Sequence, residues 1–165
     1  MSSEGLTPRV GWGFDAHRFD ENPPVLLGGV VVSEEVGVAA TSDGDVLAHA
    51  VSDALLGAAA LGDLGEHFPA EDPASEGADS MELLSRVRAR VADTGWAPAQ
   101  VDVTVAAEGI RVAPHREAIR ARLAETLGLE AGSVSVKATS TDGMGFIGRG
   151  EGIACVAVVT VVALS

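Results

Sequence analysis

The sequence has one cysteine, Cys155, and one lysine, Lys137, in 165 residues. A single cysteine excludes an intrachain disulfide, and its place in an apolar, strand-like run marks a buried structural thiol. Basic residues are scarce as a class: 11 against 24 acidic ones give a formal net charge of −13. A surface of that sign repels nucleic acid and anionic lipid, which argues against both as partners. An anionic ligand must then be held by metals, backbone N–H groups and a few local arginines. Long apolar runs are also missing. The longest, Ile153 to Leu164, is too short to cross a bilayer as a helix. No charged-then-apolar leader opens the chain, so MSSEGLTPRV reads as a flexible tail over residues 1–8 and the protein as cytoplasmic.

What remains is the composition of a globular domain, 47% apolar and 21% charged, with no repeat or linker to divide residues 9–165. RVGWGFDAHRF, from Arg9, is glycine-rich and extended. VLLGGVVV reads as two short strands turning at Gly28-Gly29. Ser42 or Asp43 is placed to cap a small-residue helix that runs to about Leu61. LGEHFPAEDPASEGAD follows as loop, with Pro69 and Pro73 opposing regular structure. Asp79 and Glu82 signal the start of an amphipathic helix ended by Gly95. VDVTVAA alternates as a strand, Pro114 starts another helix that stops at Gly128, and SVSVKA is a further strand. TSTDGMGFIGRGEG is a polar loop before the final strand, IACVAVVTVVAL.

This order predicts a single α+β domain of the split βαβ type, a mixed sheet with helices packed on one face. The last strand is apolar on both sides: Ile153, Cys155, Ala157, Val159 and Val161 face one way, Ala154, Val156, Val158 and Val162 the other. Two explanations fit that pattern. Either the uncovered face packs against other copies in a homo-oligomer, or the strand is central to a sheet covered on both faces.

Asp15 and His17 lie one residue apart, so on a strand they share a side. With His49 from the helix they could give a divalent metal three ligands and leave a fourth position open. The alternative for His49 is a core histidine bonded to Asp45 or Asp53, which share its helix face at four-residue spacing. His67 and His115 read as solvated. In the loop from Thr139 to Gly152, three hydroxyls, Asp142, Arg149 and five glycines could cradle phosphates and a Mg²⁺ or Mn²⁺ ion. A turn needing glycine at positive φ explains the same residues. Asp63, between Gly62 and Gly65, could bind vicinal hydroxyls or simply belong to a turn.

Taken together, RVGWGFDAHRF, SDGDVLAHAVSDALLGAAALGDLGEHFP and VKATSTDGMGFIGRGEGIA resemble the 2-C-methyl-D-erythritol 2,4-cyclodiphosphate synthases, in the right order and spacing. The resemblance implies a homotrimer, its other sheet face packed between subunits and its active sites at their interfaces. The implied substrate is 4-diphosphocytidyl-2-C-methyl-D-erythritol 2-phosphate, the products the cyclic diphosphate and CMP. It also implies that Asp15, His17 and His49 hold zinc, that Asp142 holds a second divalent ion, Mg or Mn, and that Thr139 and Ser140 contact the diphosphate. Asp63 and Gly65 match contacts to the methylerythritol unit or the ribose. Ala107 to Ala113, with Ile110, Arg111 and Val112, match a cytidine loop that a neighbouring subunit supplies. Thr41, Ser42, Phe68, Phe146 and Arg149 fall among the substrate-binding positions.

The sequence departs from that pattern at three places. Thr41 stands where a histidine commonly precedes Ser-Asp-Gly-Asp, Ile110 and Arg111 replace a proline and lysine, and Val156 replaces a glutamate. The implied chemistry is in-line attack of the 2-phosphate on the β-phosphorus with CMP leaving. The rival expectations are a zinc-dependent phosphohydrolase and a catalytically weakened trimer that binds nucleotide or isoprenoid diphosphates.

Overall fold

The computed structural model describes residues 7–165, so most of the expected tail over residues 1–8 lies outside the described residues. Strand β1 (Arg9–Asp20) is followed by β2 (Val25–Leu27), β3 (Val30–Ser33) and β4 (Gly37–Val38). Then come helices α1 (Val46–Ala58), α2 (Leu64–His67) and α3 (Ser80–Asp93), strand β5 (Trp96–Ala106), helix α4 (Arg116–Leu127), strand β6 (Val134–Thr139), helix α5 (Gly145–Gly148) and strand β7 (Gly152–Ala163). The main sheet runs β4-β1-β7-β5-β6, and β2-β3 form a separate hairpin. Among the described residues only β5 and β6 pair in parallel, joined by the α4 crossover; β7 is antiparallel to both β1 and β5. The chain is therefore one α+β unit with a mixed sheet.

Residue alternation decides which face is covered. Val101, Val103, Val105, Val159, Val161, Ala157, Cys155 and Ile153 are buried with the apolar faces of α1, α3 and α4. On the opposite face, Trp12 is paired with Val158 and Phe14 with Val156, yet Val10, Trp12 and Phe14 are 63%, 62% and 48% exposed. The helices thus cover one face only, which removes the doubly covered sheet as an explanation of β7. Burial pushes the Cys155 thiol far above its ordinary range, in keeping with an inert structural residue.

Helix α1 sits unusually close to β1. A Cβ on Gly11 would lie 1.7 Å from the Ala54 carbonyl oxygen, and one on Gly13 would lie 2.0 Å from that of Ala50. Only glycine allows this approach, and the small residues of α1 complete it from the other side.

Several boundaries differ from the sequence expectations. Asp45, not Ser42 or Asp43, caps α1: its carboxylate accepts from Ala48 N–H at 2.9 Å and from Gly28 and Gly29 N–H at 3.0 and 2.7 Å. Burial raises its carboxyl even though these three N–H groups pull the other way. Gly28 and Gly29 both have positive φ, 59° and 74°, as the hairpin requires. α1 ends at Ala58 and not Leu61. The expected loop after it contains α2, capped by Asp63 and closed just before Pro69. β5 begins at Trp96 and tolerates Pro98 at a register shift, where a strand can accept a missing donor. α4 begins at Arg116, after a short 3₁₀ turn that takes up Pro114. The glycine-rich loop contains α5.

Candidate active site

The close packing of α1 on β1 brings His49 to Asp15 and His17. Asp15 Oδ2 lies 2.9 Å from His49 Nδ1 and 3.0 Å from His17 Nε2, and the two nitrogens are 3.4 Å apart. Donors at about 2.0–2.1 Å from a tetrahedral zinc sit about 3.4 Å from each other, so the spacing suits such an ion. Among the described residues this is the group of His, Cys, Asp and Glu side chains that could hold a metal.

The surrounding hydrogen bonds test that fit. His17 Nδ1 faces the Ala39 carbonyl oxygen at 3.2 Å. A carbonyl only accepts, so Nδ1 carries the hydrogen and the neutral ring turns a lone pair on Nε2 toward Asp15. His49 Nε2 lies 2.8 Å from Ser80 Oγ, and the Ser80 hydroxyl donates to the Asp43 carboxylate. With its one hydrogen committed, Ser80 Oγ accepts from His49 Nε2–H, which leaves the lone pair of His49 on Nδ1. Two imidazole lone pairs and a carboxylate oxygen thus converge on one point, an arrangement that could hold a cation.

The electrostatics agree. Burial alone would raise Asp15, but when protons on the two rings stand in for the cation, hydrogen bonds and charge from His17 and His49 hold it at about 2. Burial alone would lower His17, but Asp15 raises it. The point favours any cation, a proton included. His49 is thus not a core histidine bonded to Asp45 or Asp53: Asp45 caps the helix, and Asp53 Oδ1 accepts from Leu64 N–H at 2.7 Å, tying α2 to α1.

Above the cluster opens a cavity of about 210 Å³, walled by His17, His49, Thr41, Ser42, Gly65, Phe68 and Leu83 among others. Asp63 stands just outside it, its Oδ1 accepting from Glu66 N–H. Phe68 is held in place. Arg90 Cζ stands 4.7 Å from its ring centroid, and Arg90 Nη1 lies 2.5 Å from His67 Nδ1, while His67 Nε2 lies 2.7 Å from the Leu61 carbonyl oxygen. His67 is therefore half-buried and tethered at both ring nitrogens, where the sequence reading expects a solvated side chain.

The remaining expected residues gather elsewhere. Ala107 N–H donates to the Thr139 carbonyl, and Thr141 N–H to Glu108 Oε1, each at 3.1 Å. This binds the loop of Ala107, Ile110, Arg111, Val112 and Ala113 to the loop of Thr139, Ser140 and Asp142. None of these residues walls the cavity. Asp142 is exposed, at φ 52°. A Cβ on Gly148 would lie 2.1 Å from the Gly143 carbonyl carbon, and Gly143 itself has φ 79°, so the turn accounts for both glycines without invoking a ligand. Phe146 lines a separate cleft with His17, Arg18 and Glu151, and Arg149 pairs with Glu151 at 3.1 Å. Sequence reading misses Ser80, Asp43, Leu83, Glu108 and Arg90. For Ser80 the available signal is redundancy: Asp79 already caps α3, so the second polar residue is spare.

The sequence matches the YgbB family over residues 8–162. The chain belongs to this family. A family relative from Marinobacter nauticus, named 2-C-methyl-D-erythritol 2,4-cyclodiphosphate synthase, is 54% identical over 157 residues, covering 95% of this chain and 99% of its own. The bifunctional IspDF of Campylobacter jejuni superposes with a TM-score of 0.93 at 42% identity; the match covers 96% of this chain but 43% of that longer one. The family structure of Plasmodium falciparum IspF in complex with CDP gives a TM-score of 0.83 at 27% identity, covering 99% of this chain and 100% of its own. Among the described residues, no helix is long and apolar enough to cross a membrane.

Proposed function

We propose that this chain is a cytoplasmic 2-C-methyl-D-erythritol 2,4-cyclodiphosphate synthase. It would convert 4-diphosphocytidyl-2-C-methyl-D-erythritol 2-phosphate to the cyclic diphosphate and CMP. The observation that carries this reading is the convergence of Asp15, His17 and His49 on one cation point, in a chain alignable end to end with synthases of that name. An oxygen of the 2-phosphate forms a bond to the β-phosphorus; the bond from that phosphorus to the bridging oxygen breaks, and CMP departs with the electron pair. Asp15, His17 and His49 would hold zinc and Asp142 magnesium or manganese, and these ions would supply the positive charge that this anionic encounter needs in so acidic a protein. Phe68, Leu83 and Gly65 wall the methylerythritol unit and hold the flexible substrate folded, so that ring closure becomes a positioned step. Asp63 stands at the rim of that pocket. Thr41, Ser42, Thr139 and Ser140 bond phosphate oxygens. Ala107 to Ala113 receive the cytosine, with Arg111 keeping a charge at the loop.

The two half-sites lie in different parts of one chain, and the open sheet face carries Trp12 and Phe14. Both features support a homotrimer of split βαβ subunits, in which the loops of one copy complete the cavity of the next. Phe146 and Arg149 keep the places among the substrate-binding positions that the resemblance implies, with Arg149 already paired with Glu151.

Incubating the purified protein with this substrate, Mg²⁺ and Zn²⁺ tests the proposal. Cyclic diphosphate with CMP is expected. Linear hydrolysis products, or tight binding without turnover, would overturn it.

A further inference from the structure

Ser80 is fully buried and polar, at the first turn of a helix that Asp79 already caps through Met81 and Glu82 N–H. Its hydroxyl has other partners. It meets His49 Nε2 at 2.8 Å and donates to Asp43 Oδ1. Asp43 is anchored in turn, its Oδ2 accepting from Ser80 N–H at 3.0 Å and its Oδ1 from Asp45 N–H at 3.2 Å. Ser42 Oγ, 3.2 Å from His49 Nε2, is the weaker neighbour. We infer that Ser80, oriented by Asp43, is a positioning residue that fixes His49 as the Nε2–H tautomer and keeps Nδ1 free to bind a cation.

The logic is one of hydrogen counting. A serine hydroxyl has one hydrogen, and an adjacent carboxylate that can only accept takes it. His49 then supplies the hydrogen of its own bond to Ser80, in competition with Asp15 Oδ2, the acceptor 2.9 Å from Nδ1. Imidazole ligands in metal sites are commonly oriented by a partner on the second ring nitrogen, and loss of that partner weakens metal binding. Here the partner is a hydroxyl with a carboxylate behind it, contributed by α3 and by the turn before α1. The same three residues pin the start of α3 against α1, so the ring is held from a rigid neighbour. The inference rests on the proposed metal site, but its test does not depend on turnover.

In metal-free, ¹⁵N-histidine-labelled protein, at a pH where the His49 ring is neutral, two-bond ¹H–¹⁵N correlations should show the Nε2–H form. Ser80→Ala should lose that preference and bind zinc about ten- to a hundredfold more weakly in chelator competition; Ser80→Thr, which keeps a hydroxyl, should restore both. An Nδ1–H tautomer in the unaltered protein would overturn the inference without any variant having to fold. So would a Ser80→Ala protein with the parent tautomer and zinc affinity. If the unaltered protein takes up no zinc, the metal reading fails, and the tautomer measurement still decides the role of Ser80.

Discussion

Phe68 is fixed by its immediate neighbours. The Arg90 guanidinium lies over its ring and bonds a histidine that is itself tied to the Leu61 carbonyl. A cation–π contact at a half-open site contributes about 0.5–1 kcal/mol. Arg90→Ala should therefore raise KM roughly two- to fivefold with kcat nearly unchanged, because the wall holds ground state and transition state alike. Steady-state kinetics would show it, and a fall in kcat at constant KM would contradict this role. His49→Ala is the sharper substitution. It removes one of three converging acceptors, and bound zinc measured after dialysis should drop to near zero; full zinc content would refute the ligand assignment. Asp15, His17 and His49 can be picked out in the sequence because strand alternation and helix position place them without tertiary knowledge. Ser80 and Asp43 are harder to pick out, since capping explains polar residues at a helix start whether or not they touch anything else, and the redundancy beside Asp79 is the one hint at Ser80. His67 escapes the sequence for a related reason: its two partners come from Leu61 and from a helix more than twenty positions away.

At the scale of elements, the decisive contact is α1 against β1. Gly11 and Gly13 look in the sequence like features of an extended, glycine-rich segment; their reason is the Ala50 and Ala54 carbonyls lying where side chains would be. No local pattern reveals that approach, although the small residues of α1 hint at it. Gly13→Ala must push the helix away and should destabilise the fold by about 1–3 kcal/mol or more. It should also weaken zinc binding, because His49 rides on the displaced helix. Gly57 is the internal control, exposed on α1 with nothing within 4 Å of where its Cβ would stand. Gly57→Ala should stabilise by about 0.5–1 kcal/mol through helix propensity alone. Thermal melts of both variants provide the comparison, and equal shifts would show that the α1–β1 contact carries no special constraint. Helix and strand identities are largely evident from periodicity, whereas α2 and α5, four residues each, are too short to have any.

For the whole molecule, the question is why one chain holds two separate half-sites beside an apolar sheet face. Val10, Trp12 and Phe14 are exposed on that face next to Val156 and Val158, an arrangement expected to be covered in water. The alternation of β7 shows that both its faces are apolar, but not which of two coverings applies; the placement of α1, α3 and α4 on one side, with Val10, Trp12 and Phe14 left exposed on the other, decides it. On the trimeric reading, a cavity over Asp15, His17 and His49 is completed by the Thr139 and Ala107 loops of a neighbouring copy. A chain carrying His49→Ala and another carrying Asp142→Ala should each be inactive alone. Unfolded and refolded together in equal amounts, they assemble at random. A site is then intact only where the metal half comes from the Asp142→Ala chain and the loop half from the His49→Ala chain. About a quarter of sites meet both conditions in a cyclic assembly, so activity should recover to about a quarter of the parent level. If both halves of a site belonged to one chain, no mixture would regain activity, because every chain would carry a lesion in its own site.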